Sequence, residues 1–498
     1  MIQNAYRSKA SSELLSGRML ARSALWSLLA QTLPALIGVI TIPPIIRGLG
    51  VERFGILTLA WMVIGYFSLL DLGLGRAVTK FAAELIVSPR PEGNRMIWTA
   101  WYLMLAVGLA GAVLLAGITP WLVHTAIKIP PSLQSETQAA FYLLAISVPI
   151  VVLTTGFRGL LEAGQQFRLT STVKIPTGIL TFVVPLLTLH YTTNLAVIVL
   201  GLVVVRAIGT IAYFVMANTV AGVQPRPEPF HKESARTLLR FGAWMTVSNI
   251  ISPLMAGVDR FFVGALLSVA AVTYYATPFE AVTKLLLVPT AFAAVLFPAF
   301  SSASVISRER LTHLFRTACW ILFISMYPIA FLIITFAPEL LRAWIGTTFA
   351  LQSTSVLRWL MLGVLTNSLA SVPFAFLQGL GRSDTTAKIH AIEAPLYFVW
   401  MIWLIRQSGI TGAAFAWSVR TTVDMLVLFV FAERRLGTQF SRLVSLAAPF
   451  AALFPLLGIG WLIRTIVPKA FVTLAFLVLF GVAAWRWMWL NRRTTVWG

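Results

Sequence analysis

Residues 66–85 read YFSLLDLGLGRAVTKFAAEL, an apolar stretch that nevertheless carries the four ionisable side chains Asp71, Arg76, Lys80 and Glu84. The stretch ends an apolar run that is long enough to cross a bilayer, and a charge near the bilayer centre costs roughly 2.5–3.5 kcal/mol. Lys80 and Glu84 are expected at the cytoplasmic interface, where long side chains reach the headgroups. Asp71 and Arg76 lie deeper, and we expect them to face an aqueous cavity.

The composition of the whole chain is that of a polytopic membrane protein. Of its 498 residues, 58% are hydrophobic and 11% are charged, and the mean hydropathy is +0.85, whereas a soluble chain of this length needs a larger polar surface. The single cysteine, Cys319, excludes an intramolecular disulfide and a CxxC metal site. The first apolar run follows a basic segment and lacks an A-x-A cleavage site, which favours a retained signal anchor.

Runs of about 20 mostly apolar residues predict an all-α fold with about 14 transmembrane helices. The predicted helices start near Ala24, Phe54, Met96, Gln138, Thr172, Leu195, Phe241, Thr273, Ala318, Val356, Ala387, Thr411, Val444 and Lys469.

The basic residues give the predicted helices an orientation. The chain has 38 Lys and Arg against 17 Asp and Glu, for a net charge of +21. With the N-terminus in the cytoplasm, 26 of the 38 basic residues fall in inner segments and 8 in outer segments, as the positive-inside rule requires. The charge therefore indicates a multi-pass membrane protein with both termini in the cytoplasm, and it does not indicate a nucleic-acid partner.

An internal repeat divides the chain. At an offset of 218, Trp26 corresponds to Trp244 and Gln31 to Asn249, and at an offset near 217, LLEAGQQF (160–167) resembles FLQGLGRSD (376–384). Because the repeat contains six helices, both copies have the same orientation, and parallel repeats place a substrate site at their interface. We therefore predict an N-terminal segment (1–23), a first lobe (24–218), a cytoplasmic linker (219–240), a second lobe (241–432) and two further helices with the C-terminus (433–498).

Motifs for catalysis or nucleotide binding are missing from the sequence. It has no GxxxxGK[ST] loop and no DxD pair among its four aspartates. The five histidines occur singly, and each is expected to be a solvated side chain near a helix end. The sequence predicts no enzyme activity, no cofactor and no metal.

Ionisable side chains inside the predicted helices are the candidate functional residues. The cations are Arg206 in helix six, Arg260 in helix seven, Lys284 in helix eight and Arg420 in helix twelve, and carboxylates near the last three in sequence are Asp259, Glu280 and Asp424. One interpretation is a set of charge pairs that fix helix packing. The other is a cationic cavity for an anionic substrate such as a phosphate or pyrophosphate. In that case Arg76 and these four cations would bind substrate, and Asp71 and the three carboxylates would balance charge or couple an ion.

The order of several motifs resembles a known family. ALWSLLAQTLPALIGVITIPPIIRGLGVERFGILTL (24–59), the stretch 66–85, LLEAGQQF and LQGLGRSD are together similar to Wzx-type polysaccharide flippases of the multidrug/oligosaccharidyl-lipid/polysaccharide exporter superfamily. The resemblance implies two lobes that form a V-shaped cavity and work by alternating access. It also implies transport of undecaprenyl-diphosphate-linked oligosaccharides from the inner to the outer leaflet for O-antigen, capsule or exopolysaccharide synthesis. Na⁺ or H⁺ would be a coupling partner, and the polymerase and export machinery of the pathway would be protein partners.

Three other functions compete with this interpretation. A lipid II flippase has the same helix number and a cationic cavity. A drug or cation antiporter of the superfamily usually stops at twelve helices, and its substrate would be repelled by this many cations. A membrane polymerase or ligase would carry a large outer loop, which the sequence lacks.

Overall fold

The structure, a computed structural model, is built from helices throughout the part of the chain that it describes. That part comprises residues 17–67, 71–88, 93–218, 227–240, 257–436 and 465–492, together with residues 255, 458 and 463. The principal helices are α1 (Gly17–Phe67), α2 (Leu74–Val87), α3 (Gly93–Trp121), α4 (Pro131–Ala163), α5 (Phe167–Thr188), α6 (Leu195–Ala217), α7 (Asp259–Leu266), α8 (Val269–Thr283), α9 (Leu287–Ile306), α10 (Arg308–Thr335), α11 (Ala337–Trp344), α12 (Thr347–Gly379), α13 (Ser383–Leu436) and α14 (Ile466–Arg492).

Ten helical stretches of the described chain are long and apolar enough to cross a membrane. Two of them, α1 and α13, each contain two predicted helices, which are separated at Gly50 (φ 78°) and Gly409 (φ 60°). Glycine adopts such positive φ values without steric cost. The two predicted helices that start near Phe241 and Val444 lie largely outside the described residues. The prediction of an all-α polytopic membrane protein is confirmed.

The second predicted helix is divided within the stretch quoted above. α1 ends at Phe67, and α2 begins only at Leu74. Between them, Leu72 has a φ of 52° and Gly73 a φ of 69°, in the left-handed region that interrupts a right-handed helix. The apolar pattern did not show this break, because it depends on a local backbone conformation.

The chain forms two compact units, residues 1–273 and 274–498. In the first unit, the buried helix α4 packs against α2, α3 and α6, and α1 packs against α5. In the second unit, α12 is the central helix and packs against α9, α10, α11 and α13. The predicted lobe boundaries and the predicted V-shaped cavity stay predictions.

Glycines allow close helix crossings in both units. A Cβ atom on Gly159 of α4 would lie 2.8 Å from the Gly75 carbonyl of α2, and one on Gly363 of α12 would collide with the Trp417 ring of α13. Small residues of this kind let membrane helices approach each other closely.

The turns after α4 and α12 are built alike. The backbone N–H groups of Gly164, Gln165 and Gln166 donate to the carbonyls of Leu160, Glu162 and Leu161, and those of Leu380, Gly381 and Arg382 donate to Phe376, Gln378 and Leu377. Donors and acceptors in the second turn are all 216 positions beyond those in the first. These turns coincide with the two inner-loop motifs from which the repeat was predicted.

The last helix, α14, is fixed to the second unit by an ion pair and by aromatic rings. Lys469 Nζ lies 2.7 Å from Glu339 Oε1 on α11, with 2% of the lysine side chain exposed. Phe476 contacts Phe331 of α10 with ring centroids 4.1 Å apart, and Phe480 stacks on Tyr327 at 5.7 Å.

Candidate functional site

The two halves of α13 form a hairpin that brings distant ionisable residues together. Beyond the break at Gly409 the chain reverses, and Trp400 contacts Phe415 with ring centroids 5.9 Å apart. Side chains on the facing sides of the two halves therefore meet.

Four ionisable side chains meet in this hairpin, and we refer to His390, Glu393, Arg420 and Asp424 as the α13 charge cluster. Arg420 Nη1 lies 3.9 Å from Glu393 Oε1, and His390 Nε2 lies 3.5 Å from Asp424 Oδ1. Between 11% and 23% of each of these side chains is exposed. The cluster therefore lies in a largely desolvated environment.

Aromatic rings contact Arg420 and His390 of the cluster. The Arg420 guanidinium carbon lies 5.4 Å from the centre of the Tyr397 ring, a favourable cation–π distance. The His390 ring stacks on Phe374 of α12, with an interplanar angle of 13° and centroids 6.0 Å apart. Both side chains are thus positioned by apolar surfaces as well as by the carboxylates.

Several polar atoms of the cluster lack a hydrogen-bond partner in the part of the chain that the structure describes. Within the described residues, both Glu393 oxygens, Asp424 Oδ1 and Arg420 Nε are buried and have no hydrogen-bond partner. The cluster holds two carboxyl groups against one guanidinium and one imidazole. Because buried unsatisfied charges are costly, one bound cation would stabilise the cluster. Candidate ligand atoms of His390, Glu393 and Asp424 lie within 4.8 Å of one another.

A cavity of about 780 Å³ opens beside the cluster. Glu393, Tyr397, Arg420 and Asp424 line it, and the other lining residues continue along both halves of α13. Its size is within the range of small-molecule sites, roughly 300–1,000 Å³.

The cluster differs from the sequence-based prediction in three respects. Asp424 was the expected neighbour of Arg420, but it faces His390, while Arg420 faces Glu393. His390 was expected to be a solvated side chain, yet it is packed between Phe374 and Asp424. Glu393 was missed, although it lies three residues after His390 and therefore on the same helix face.

Two predicted pairs lie elsewhere in the protein. Lys284 Nζ is 2.9 Å from Glu280 Oε2, and both side chains are at least one-third exposed. Asp259 and Arg260 are buried at the start of α7, where Asp259 Oδ1 accepts a hydrogen bond from the backbone N–H of Arg260. These pairs are not part of the α13 charge cluster.

Arg206 differs from the other predicted cations in the membrane. It is half-buried within α6, and within the described chain no carboxylate lies within 4.0 Å of its guanidinium group. Its backbone carbonyl accepts a hydrogen bond from Thr210. Arg206 therefore keeps an uncompensated positive charge deep in the first unit.

The stretch 66–85 separates into a buried cap and an exposed stripe. Asp71 is 8% exposed and accepts hydrogen bonds from the N–H groups of Gly73 and Gly75 and from the Thr155 hydroxyl. The carboxylate thus caps the start of α2. Arg76 is exposed, and Lys80 lies 3.9 Å from Glu84 on the same surface. The expected placement of Asp71 at an aqueous cavity is not what this geometry shows.

Comparisons with known proteins agree with this architecture. The chain matches the family described as polysaccharide biosynthesis proteins over residues 20–304, more than half of its length. It is 30% identical to a Shigella flexneri protein named "Putative O-antigen transporter" over 82% of this chain and 96% of that protein. It is 21% identical to the Escherichia coli lipopolysaccharide biosynthesis protein WzxC over 88% of this chain and 86% of that protein.

A solved structure shares the fold. The lipid II flippase MurJ in an inward closed conformation superposes with a TM-score of 0.71 at 13% sequence identity, covering 94% of this chain and 99% of that structure. A likeness at this identity shows the fold alone. The fold, the family match and the Shigella relative lead to one conclusion: the chain belongs to the polysaccharide biosynthesis protein family, whose Wzx-type members it resembles in motif order.

Proposed function

We propose that the protein flips undecaprenyl-diphosphate-linked oligosaccharide units from the inner to the outer leaflet of a bacterial inner membrane. The observation that carries the proposal is the 30% identity to the protein named "Putative O-antigen transporter", which extends over 82% of this chain and 96% of that protein. The delivered units would serve O-antigen, capsule or exopolysaccharide synthesis, and the polymerase of that pathway would receive them. Both termini lie in the cytoplasm, in keeping with the 26 basic residues of the inner segments.

Arg206 is the intramembrane cation that we assign to the diphosphate. A guanidinium binds phosphate oxygens through paired N–H donors, and no described carboxylate competes for it. Arg420 and Lys284 each have a carboxylate partner, so their charges are already balanced. We therefore expect Arg206 to contribute more to headgroup binding than either of them.

The α13 charge cluster would couple transport to a cation gradient. Its carboxyl oxygens suit one Na⁺ or one proton, because binding would satisfy oxygens that lack hydrogen bonds. One elementary charge crossing the membrane potential supplies about 2.3 kcal/mol per 100 mV, which is enough to drive a substrate against a moderate gradient. Alternating access would carry the cation and the lipid-linked substrate across the same bilayer.

The leaflet location of the substrate in depleted cells tests the proposed function. Oriented vesicles or intact cells are probed with an impermeant sugar-modifying enzyme after the protein is depleted. We expect the lipid-linked oligosaccharide to accumulate on the inner leaflet, with polymer synthesis lost. Normal arrival at the outer leaflet with polymer still lost would contradict the proposal, because the protein would then act after translocation.

A lipid II flippase is the second candidate, because the MurJ structure shares the fold. The same depletion experiment distinguishes the two functions through the lipid that accumulates. Inner-leaflet lipid II with normal polymer would favour the second candidate. Accumulation of the oligosaccharide lipid alone would exclude it.

A further inference from the structure

The cavity beside the α13 charge cluster continues as a groove along one face of the hairpin. Its described lining lies on α13 and on Arg382, which precedes the helix. Most of the wall is apolar and is formed by Ile389, Ile392, Leu396, Trp400, Val419, Val423, Val427 and Phe431. We call this surface, from Arg382 to Trp400 on one half and from Val419 to Phe431 on the other, the α13 groove.

One end of the α13 groove is basic. Arg382 Nε lies 3.2 Å from Asp384 Oδ1, and Lys388 Nζ lies 3.8 Å from Asp384 Oδ2. Two cations thus share one carboxylate, which leaves one positive charge at this mouth. Both cations are close enough to contact a single phosphate or diphosphate group, the anion that guanidinium and ammonium groups recognise.

The groove has the depth and the openness of a lipid site. Lys388 and Trp400 are separated by about 18 Å along a helix that rises 1.5 Å per residue, whereas the hydrocarbon core is about 30 Å thick. Ile392 and Leu396 are each 67% exposed, and Val423 is 47% exposed, so the apolar wall is accessible from outside the hairpin. With the termini inside, the basic mouth lies at the inner headgroup level, and the groove leads toward the bilayer centre.

We propose that the α13 groove binds the polyprenyl chain of the inner-leaflet substrate lipid, with its diphosphate at Arg382 and Lys388. A single unbranched path between two helices matches a lipid that has one chain, and the basic mouth matches its anionic group. This site would hold the lipid anchor of the substrate in the inner leaflet. The inference rests on the proposed function for the identity of the lipid.

Photo-crosslinking in vesicles tests the site. The full-length protein carries p-benzoylphenylalanine in place of Val423, and the matched control carries it in place of Leu426, which is 55% exposed on the same helix but does not line the groove. The vesicles contain phosphatidylethanolamine and undecaprenyl diphosphate. We expect the polyprenyl adduct at position 423 and little at position 426. The pair of substitutions R382Q and K388Q should lower the adduct about thirtyfold, since each cation near the surface contributes about 1 kcal/mol.

Four outcomes would overturn the proposal. Equal labelling at positions 423 and 426 would show ordinary lipid contact, and labelling that is unchanged in the R382Q/K388Q protein would remove the headgroup site. Complete competition by excess phosphatidylglycerol would assign the groove to an anionic phospholipid instead. Wild-type flipping without an adduct at position 423 would defeat this inference alone. An adduct without flipping of oligosaccharide lipid would defeat the proposed function alone.

Discussion

Gln165 and Gly381 occupy the same position in two copies of one turn, but glutamine tolerates the backbone conformation at this position less well than glycine does. Both residues have positive φ, 57° and 73°, in a conformation that costs an L-residue roughly 1–2 kcal/mol and glycine almost nothing. At the same scale, Leu72 adopts a φ of 52° immediately before the capped helix α2. Single residues thus set where helices end in this chain.

Replacing Gln165 with glycine should stabilise the protein. Relief of the left-handed strain predicts a gain of about 1 kcal/mol, and Gly381→Ala should cost about 1–2 kcal/mol for the same reason. Thermal unfolding in detergent measures both changes. The control is Gln166→Gly, because Gln166 has a φ of −85° and gains nothing from glycine. A destabilising Q165G would contradict the interpretation of the turn.

Replacing Asp71 with alanine should destabilise α2. The change leaves the N–H groups of Gly73 and Gly75 without their acceptor, and lost helix caps cost about 0.5–2 kcal/mol. Asp384→Ala serves as the control, since Asp384 is half exposed at the start of another helix. Equal unfolding temperatures for D71A and wild type would show that the cap contributes nothing. A selective loss of transport with unchanged stability would return Asp71 to a functional role.

At the scale of helices, apolar runs predicted most of the elements, because a spanning helix needs only length and hydrophobicity. The pairing of charges was not predictable in this way. The register of the α13 hairpin is fixed by the break at Gly409, and it places Glu393 rather than Asp424 opposite Arg420. The sequence pattern of one helix cannot show which residue of the returning helix a given side chain will face.

The anchor of α14 can be tested by removing its buried cation. Lys469→Met should lower the unfolding temperature, because Glu339, 25% exposed, loses its partner at 2.7 Å. Breaking a fully buried pair costs about 3–5 kcal/mol, and partial exposure of Glu339 should keep the loss below that range. The double substitution K469M/E339Q should recover part of the stability. If it is less stable than K469M alone, the ion pair is not what fixes α14.

At the scale of the whole molecule, the proposed oligosaccharide-lipid flippase has a cation site in its second unit. Both units have a buried central helix, α4 in the first and α12 in the second, and the same turn follows each of these helices. Among the described residues, in contrast, such a charge cluster is found only in α13. This asymmetry suits a transporter in which one unit binds the coupling cation and the other presents Arg206.

Substitution of Glu393 with glutamine should uncouple transport from the gradient. The change removes a carboxyl group whose two oxygens lack hydrogen-bond partners among the described residues, so flipping driven by a Na⁺ or proton gradient should fall about tenfold, the equivalent of 1.4 kcal/mol. Glu280→Gln is the matched control, because Glu280 forms an exposed pair with Lys284. Equal flipping rates in the E393Q and wild-type proteins, with and without the gradient, would exclude the cluster from coupling.

The most direct measurement is translocation by the purified protein in liposomes. An undecaprenyl-diphosphate-linked oligosaccharide is placed in one leaflet, and an impermeant sugar-modifying enzyme reports over time how much has reached the other. We predict transfer that requires the protein, rises with an imposed cation gradient and falls in the Arg206→Gln variant. Transfer no faster than in protein-free liposomes, from protein shown to be folded by its unfolding transition, would contradict the central claim.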